Sequence, residues 1–225
     1  MEKIYTSPVN EAFEAAMAAE EITCPFCRLY DDLEEKELDL ILGASMMEPD
    51  VRIKTNAAGF CRRHLDSMFT RKNRLGMALM MESHLAETRR MLEKGDFARL
   101  NRLCAPSGGS CYVCSRIDYA LGKMLENAVW LWDADPEFQK KLDAQKCLCL
   151  PHTARWLQIG RDMLNRKKYA AFSEAVISVA LRYYDTLSED VSWFVKKFDY
   201  RYDEEPWGNA KDAVERCIRL LRARG

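Results

Sequence analysis

Phe172-Ser-Glu-Ala-Val176-Ile-Ser-Val179-Ala-Leu-Arg-Tyr183-Tyr-Asp-Thr-Leu187-Ser-Glu-Asp-Val191-Ser-Trp-Phe194 is the stretch that decides the fold class. Its apolar residues recur at intervals of three and four, and Phe198 continues the series. That period keeps one helical face apolar for about seven turns, whereas a half-buried strand would alternate every second residue. Met77, Met81, His84, Thr88 and Met91, flanked by Leu85 and Leu92, make a shorter stripe of the same kind. The boundary residues agree. Ser7-Pro8 and Asp135-Pro136 can open helices, Gly95 can close one that begins near Arg74, and Asn209 with Asp212 has the spacing of a capping pair. The fold is expected to be all-α.

The rest of the chain excludes several classes. Its 225 residues are 48% apolar and 31% charged, as in ordinary globular proteins. Lys+Arg (34) and Asp+Glu (35) nearly cancel, so no large net field draws the chain to nucleic acid or anionic lipid. No apolar run approaches the roughly 20 residues that a membrane crossing needs. The first residues, Met-Glu-Lys-Ile-Tyr-Thr-Ser-Pro, lack the basic and then apolar pattern of an export signal. A soluble, cytoplasmic protein is expected. Against that background nine cysteines are many, and in a reducing compartment they point to metal or redox chemistry rather than to disulfides.

Two stretches read as exposed loops, Glu48–Gly59 and Ala105–Ser110, and the second divides the chain into comparable halves. Comparing the halves reveals a repeat. Cys24-Pro25-Phe26-Cys27 has a counterpart in Cys111-Tyr112-Val113-Cys114, and Cys61-Arg62-Arg63-His64 has one in Cys149-Leu150-Pro151-His152. Asp31 and Asp118 follow their Cys pairs at the same distance. The expected architecture is therefore a pair of duplicated helical hairpin units, each clamped by a metal site, plus a C-terminal helical extension. Residues 1–104 form the first unit, 105–165 the core of the second, and 166–225 the extension.

Each half supplies Cys-x-x-Cys and then Cys-x-x-His, and three thiolates with one imidazole are a recurrent closed set for structural zinc. Two ligands three residues apart on the first turn of a helix share a face. The unpaired N–H groups of that turn favour thiolate. Thr23 and Ser110 are candidate caps, and Arg28, Arg62 and Arg63 are near enough in sequence to offset the charge of a thiolate site. The small fingers that read DNA hold their pairs roughly 12 residues apart. The inserts here, 28–60 and 115–148, are instead long enough for a helix to run out and return. The expected ligands are Cys24, Cys27, Cys61 and His64 for one ion, and Cys111, Cys114, Cys149 and His152 for the other.

Other features are weaker. Cys147 lies two residues before Cys149 and could replace it; Cys104 and Cys217 read as buried thiols, and His84 as a core histidine with its hydrogen bonds satisfied. The passage Lys196–Gly208 interleaves aromatics, arginine and carboxylates; it reads as a connector packing its rings over helix ends, with a binding surface as the alternative. Arg71-Lys72-Arg74, Arg166-Lys167-Lys168 and the Arg216, Arg219, Arg222 face read as solvated helix surface, so nucleic acid is not the expected partner. There is no phosphate-cradling glycine loop, no Ser–His–Asp order and no His-rich catalytic zinc motif.

Taken together, Cys-Pro-x-Cys, Gly59-Phe60-Cys61-Arg62-Arg63-His64, the second Cys-x-x-Cys, Cys-x-Cys-x-x-His and the Lys197–Arg201 passage resemble an uncharacterised family of bacterial proteins, one of the domain-of-unknown-function groups. The resemblance implies a shared helical fold and shared ligands, and no activity. The functional expectation is a metal-binding helical protein holding two structural zinc ions, acting on an unknown protein partner as an interaction or adaptor module rather than as an enzyme. A thiol-based redox or metal sensor is the first alternative, and an iron–sulfur protein or enzyme the second.

Overall fold

A computed structural model describes residues 3–104 and 110–222, among which are eleven α-helices and no strand. The helices are α1 (Thr6–Ala18), α2 (Pro25–Leu42), α3 (Pro49–Ala58), α4 (Arg62–Thr70), α5 (Arg74–Lys94), α6 (Phe97–Cys104), α7 (Tyr112–Ala134), α8 (Pro136–Asp143), α9 (Leu150–Met163), α10 (Arg166–Lys196) and α11 (Ala213–Leu221). Their contacts divide the chain into two units, one of Met1–Asp31 with Leu121–Gly225 and one of Asp32–Ala120. The divisions fall inside α2 and α7, and none coincides with 104/105 or 165/166.

The first unit is built on rings. Phe13 of α1, Phe26 of α2, Phe138 of α8, Trp156 of α9 and Phe172 of α10 are all fully buried. Phe13 meets Phe26 at 5.4 Å and Phe138 at 4.7 Å, while Trp156 meets Phe26 at 4.9 Å and Phe172 at 5.0 Å. Such edge and tilted pairs add to the area each ring removes from water. The apolar stripe of α10 is buried as its period predicts through Phe172, Val176, Val179, Tyr183 and Leu187. Its last member is not: Phe198 lies beyond the end of the helix and is 76% exposed. Asn165 caps α10 by accepting from the Lys168 N–H at 3.0 Å.

The passage after α10 is organised by one buried cation. The Lys197 ammonium donates to the carbonyls of Tyr202, Asp203 (2.9 Å) and Glu205 (2.8 Å) and lies 5.4 Å from the Trp207 ring. Trp193 donates to the Pro206 carbonyl at 3.0 Å, and Phe194 packs on Trp207 at 5.7 Å. Tyr202 and Trp207 thus cover the helix end, while Phe198 and Tyr200 project into solvent. Arg216 departs from the solvated face expected of it. It is buried and paired with Asp190 and Asp212, both at 2.9 Å, and it also donates to the Asn209 carbonyl. Asp212 accepts from Arg216 and makes no side-chain cap for α11.

The second unit packs α5 against α3, α4 and α6. Leu38, Ile41 and Leu42 of α2, Met68 of α4, and Met80 and Met91 of α5 are buried. The α5 stripe is therefore centred on Met80 and Met91, and its expected flanks Leu85 and Leu92 are exposed. Asn73 caps α5 by accepting from the Gly76 N–H at 2.8 Å, and Gly95 ends it with a φ of 67° that glycine adopts without strain. The Glu48–Gly59 loop is corrected to a helix: Pro49 takes the first helical position and Asp50 adds an acidic side chain to the first turn, both favourable there. Residues 105–109 of the other expected loop lie outside the described residues.

Gly160 of α9 lies directly under Phe172 of α10, since a Cβ there would stand 2.3 Å from the Phe172 ring. Phe172 is fully buried and hemmed by Trp132 and Trp156, so it cannot yield. Gly160→Ala is expected to destabilise the protein by about 1–3 kcal/mol despite its higher helix propensity. Chemical denaturation would show this as a lower midpoint at unchanged slope.

Candidate metal centres

All four cysteine motifs have the same local build. The first cysteine of each is the residue whose carbonyl accepts the first intrahelical bond: Arg28 N–H to Cys24 O at 3.2 Å, Leu65 to Cys61 at 3.0 Å, Ser115 to Cys111 at 3.0 Å and Thr153 to Cys149 at 2.9 Å. It therefore occupies the N-cap, and the second ligand falls three residues on, on the first turn. That is the spacing of a capping box, in which the two side chains face each other across the open end of the helix. Thr23 and Ser110, expected as caps, stand one residue earlier. Pro25 and Pro151 follow their cysteines in the first turn, where a missing N–H costs nothing.

The eight donors gather into two groups of four, with all donor atoms in each within 4.8 Å of one another. The groups are not those expected. Cys24 and Cys27 are joined by Cys149 and His152, and Cys61 and His64 by Cys111 and Cys114. The Cys-x-x-Cys of each half thus meets the Cys-x-x-His of the other, and the pairing within halves is corrected. The first group lies in the first unit and the second group in the second.

At the first centre the Cys27 and Cys149 sulfurs are 3.7 Å apart, and His152 Nδ1 lies 3.2 Å from Cys149, 3.5 Å from Cys27 and 3.9 Å from Cys24. Phe26, between the two cysteines of its motif, points the other way into the ring core and stands 6.1 Å from the His152 ring. The motif is anchored by its own middle residue. At the second centre Cys61 and Cys114 are 3.8 Å apart, and His64 Nδ1 lies 3.2 Å from Cys61 and 3.3 Å from both Cys111 and Cys114. The Tyr112 N–H donates to the Gly59 carbonyl at 3.0 Å, tying the start of α7 to the approach of α4. Gly59 turns the chain there with a φ of 64°, and a Cβ would come within 2.9 Å of Leu103.

The donors hydrogen-bond to one another, which eases some of the thiols towards ionisation and opposes it in others. Burial works to raise the Cys24 thiol, but hydrogen bonds from Cys149 and Cys27 and the neighbouring His152 hold it well below its ordinary value. Hydrogen bonding with Cys149 and Cys24, reinforced by burial, pushes Cys27 far up, and Cys149 is raised first by its bond with Cys24. Likewise the Cys114 thiol holds Cys111 down at about 3 against burial, and is itself pushed far up by it. Neighbouring thiols thus ease Cys24 and Cys111 towards thiolate, while Cys27 and Cys114 are pushed away from it. A divalent cation removes that resistance and deprotonates coordinating thiols outright. The residues present fit a metal ion.

Glu34, which sequence reasoning missed, completes the second centre. Its Oε1 accepts from His64 Nε2 at 2.9 Å and from Arg63 at 2.6 Å. With that proton fixed on Nε2, the lone pair of Nδ1 faces the sulfurs. Glu34 sits in the third turn of α2 with no motif around it, so only the fold brings it to His64. Arg62, expected to offset site charge, instead pairs with Asp66 on the surface. Cys147 is buried beside the first centre, and burial, with Cys24 and Cys149 nearby, raises its thiol. Cys104 is exposed and Cys217 half-buried. His84 is half-buried with Nδ1 unpartnered, contrary to the satisfied core histidine expected, and burial lowers its pKa.

Removing the Glu34 carboxylate is expected to weaken metal at the second centre alone. With zinc as the probe ion, Glu34→Ala would lower one of two affinities about 10–100-fold in a chelator competition. Two unchanged affinities would reduce Glu34 to a surface partner of Arg63.

Among the described residues no helix is long and apolar enough to cross a membrane. No similarity to a curated protein or to a solved structure is detected. One family model matches, over residues 1–224, and with nearly the whole chain covered this protein belongs to that family of unknown function, DUF6062.

Proposed function

We propose that the chain holds two structural zinc ions, one at Cys24, Cys27, Cys149 and His152 and the other at Cys61, His64, Cys111 and Cys114, and serves as a metal-stabilised helical interaction module. The observation that carries this reading is the size of the two donor groups. A tetrahedral ion with Zn–S of about 2.3 Å and Zn–N of about 2.0–2.1 Å sets S···S near ~3.8 Å and S···N near ~3.6 Å. One S···S separation at each centre is 3.7 or 3.8 Å, the S···N separations run from 3.2 to 3.9 Å, and no two donors of a centre are more than 4.8 Å apart. Donors so close surround a single ion, whereas the ligands of a four-iron cluster each bind a different iron and stand apart by the width of the cluster.

Four protein ligands fill a tetrahedral ion, which leaves no open position for a water or a substrate. Three thiolates and a neutral imidazole around a divalent ion leave about one negative charge per centre, and Arg63 lies beside the second. The chemistry supplied by the ion is the clamping of two helix starts. The interaction role is supported by the end of α10, where Phe198 and Tyr200, 83% exposed, stand on a turn that Lys197 holds rigid from beneath. Exposed aromatics on a fixed frame are the side chains that dominate contact energy.

The crossed pairing gives a stoichiometric test. Cys24→Ala with Cys149→Ala is expected to leave one zinc per chain by elemental analysis, because both changes strike the same ion. Cys24→Ala with Cys61→Ala is expected to leave none bound tightly. Equal zinc contents in the two double variants, or the reverse order, would reject the crossed centres, and strong visible absorbance with iron in the wild type would reject zinc.

A further inference from the structure

Besides its four donors, the first centre has a fifth sulfur at hand. A cavity of about 230 Å³, room for several waters, is lined by Cys24, Cys27 and Cys149 together with Cys147, Tyr183 and Arg28. Residues 147–149 are not helical, and Cys149 has extended dihedrals of −72° and 152°. In extended chain, alternate side chains share a side. Cys147 and Cys149 accordingly line the cavity while Leu148 between them is fully buried. Cys147 is not one of the four donors. Nothing in the clamping role requires a thiol there, and alanine or valine would fill the space without sulfur chemistry.

We propose that Cys147 is the resolving thiol of a peroxide-sensitive first centre, closing a disulfide with the ligand Cys24 or Cys149 and so expelling the ion. The inference rests on the two-zinc reading and adds regulation to it. The oxidant is hydrogen peroxide or a small hydroperoxide, small enough for the cavity. A ligand thiolate attacks one peroxide oxygen; the O–O bond breaks, an S–O bond forms, and hydroxide leaves. The sulfur is oxidised by two electrons to a sulfenic acid and the peroxide is reduced. The Cys147 sulfur then attacks the sulfenic sulfur. An S–S bond forms, the S–O bond breaks, and the departing hydroxyl takes the Cys147 proton to leave as water. The centre keeps two thiolates and an imidazole, one donor short of closure. A dithiol reductant reverses the change, whereas a sulfenic acid left unresolved goes on to an irreversible sulfinic acid.

The experiment uses full-length protein, its zinc measured beforehand, treated with hydrogen peroxide in the presence of a chromogenic zinc chelator. One equivalent is expected to leave first. Peptide mapping should then find Cys147 in a disulfide with Cys24 or Cys149, and dithiothreitol with added zinc should restore the ion. Cys147→Ser is expected to bind two zinc ions before oxidation and to recover less than half of the lost equivalent afterwards. A Cys147 that stays a free thiol in oxidised wild type overturns the proposal without recourse to any variant, as does full recovery in Cys147→Ser. Protein that holds fewer than two zinc ions before any peroxide is added overturns the two-zinc reading itself, and this inference with it.

Discussion

Three sulfurs and an imidazole nitrogen within 4.8 Å of one another is an arrangement that the polypeptide does not favour alone. Each further thiolate meets the charge of the first, and Cys27 and Cys114 are pushed far from ionisation by the neighbours that ease Cys24 and Cys111. The rest of the structure depends on how that conflict is resolved. A divalent ion at each centre would let the coordinating thiols ionise together. Ligands that are not preorganised in the unfolded chain then couple the binding free energy to folding.

The crossing of the motifs sets how much chain an ion at each centre would constrain. Cys27 and Cys149 are 122 residues apart, and Cys61 and Cys114 are 53 apart, with the second pair inside the interval spanned by the first. The closure of a flexible loop costs (3/2)RT ln n and a constant, so a longer loop raises the cost only slowly. Joining distant motifs is therefore only modestly more costly than joining neighbours. What it gains is position. An ion at the first centre would fix the starts of α2 and α9, whose Phe26 and Trp156 are adjacent rings of the buried core, so metal ligation and core packing would register the same two helices.

Much of this was legible in the sequence. The three-and-four period of α10 reports burial because a helix that long must hide one face, and it holds from Phe172 to Leu187. The eight side chains that the structure gathers could be singled out because cysteine and histidine three apart have few other reasons to recur twice in order. Their pairing could not be read. Either partition supplies three thiols and one imidazole per site, and motif spacing measures chain length rather than direction in space. Glu34 was invisible for a related reason, since a carboxylate on a charged helix becomes a histidine's partner only when the fold delivers it. Helix α3 was mistaken for a loop because it buries little besides Thr55 and so shows no apolar stripe.

The two centres use one local device but differ in what surrounds it. At the second, a carboxylate and an arginine orient His64 and hold its proton away from the sulfurs, which favours a constant ligand set. The middle residue of each Cys-x-x-Cys, Phe26 or Val113, is fully buried, so both motifs are anchored from behind. In front, the first centre meets a cavity and a spare thiol. That cavity distinguishes the first centre although its donors are the more buried set, only Cys27 being half-buried there against Cys61 and Cys114 at the second. Stability and responsiveness make opposite demands on thiolate ligands, and under the proposed reading two centres in one chain would meet each demand at a different ion.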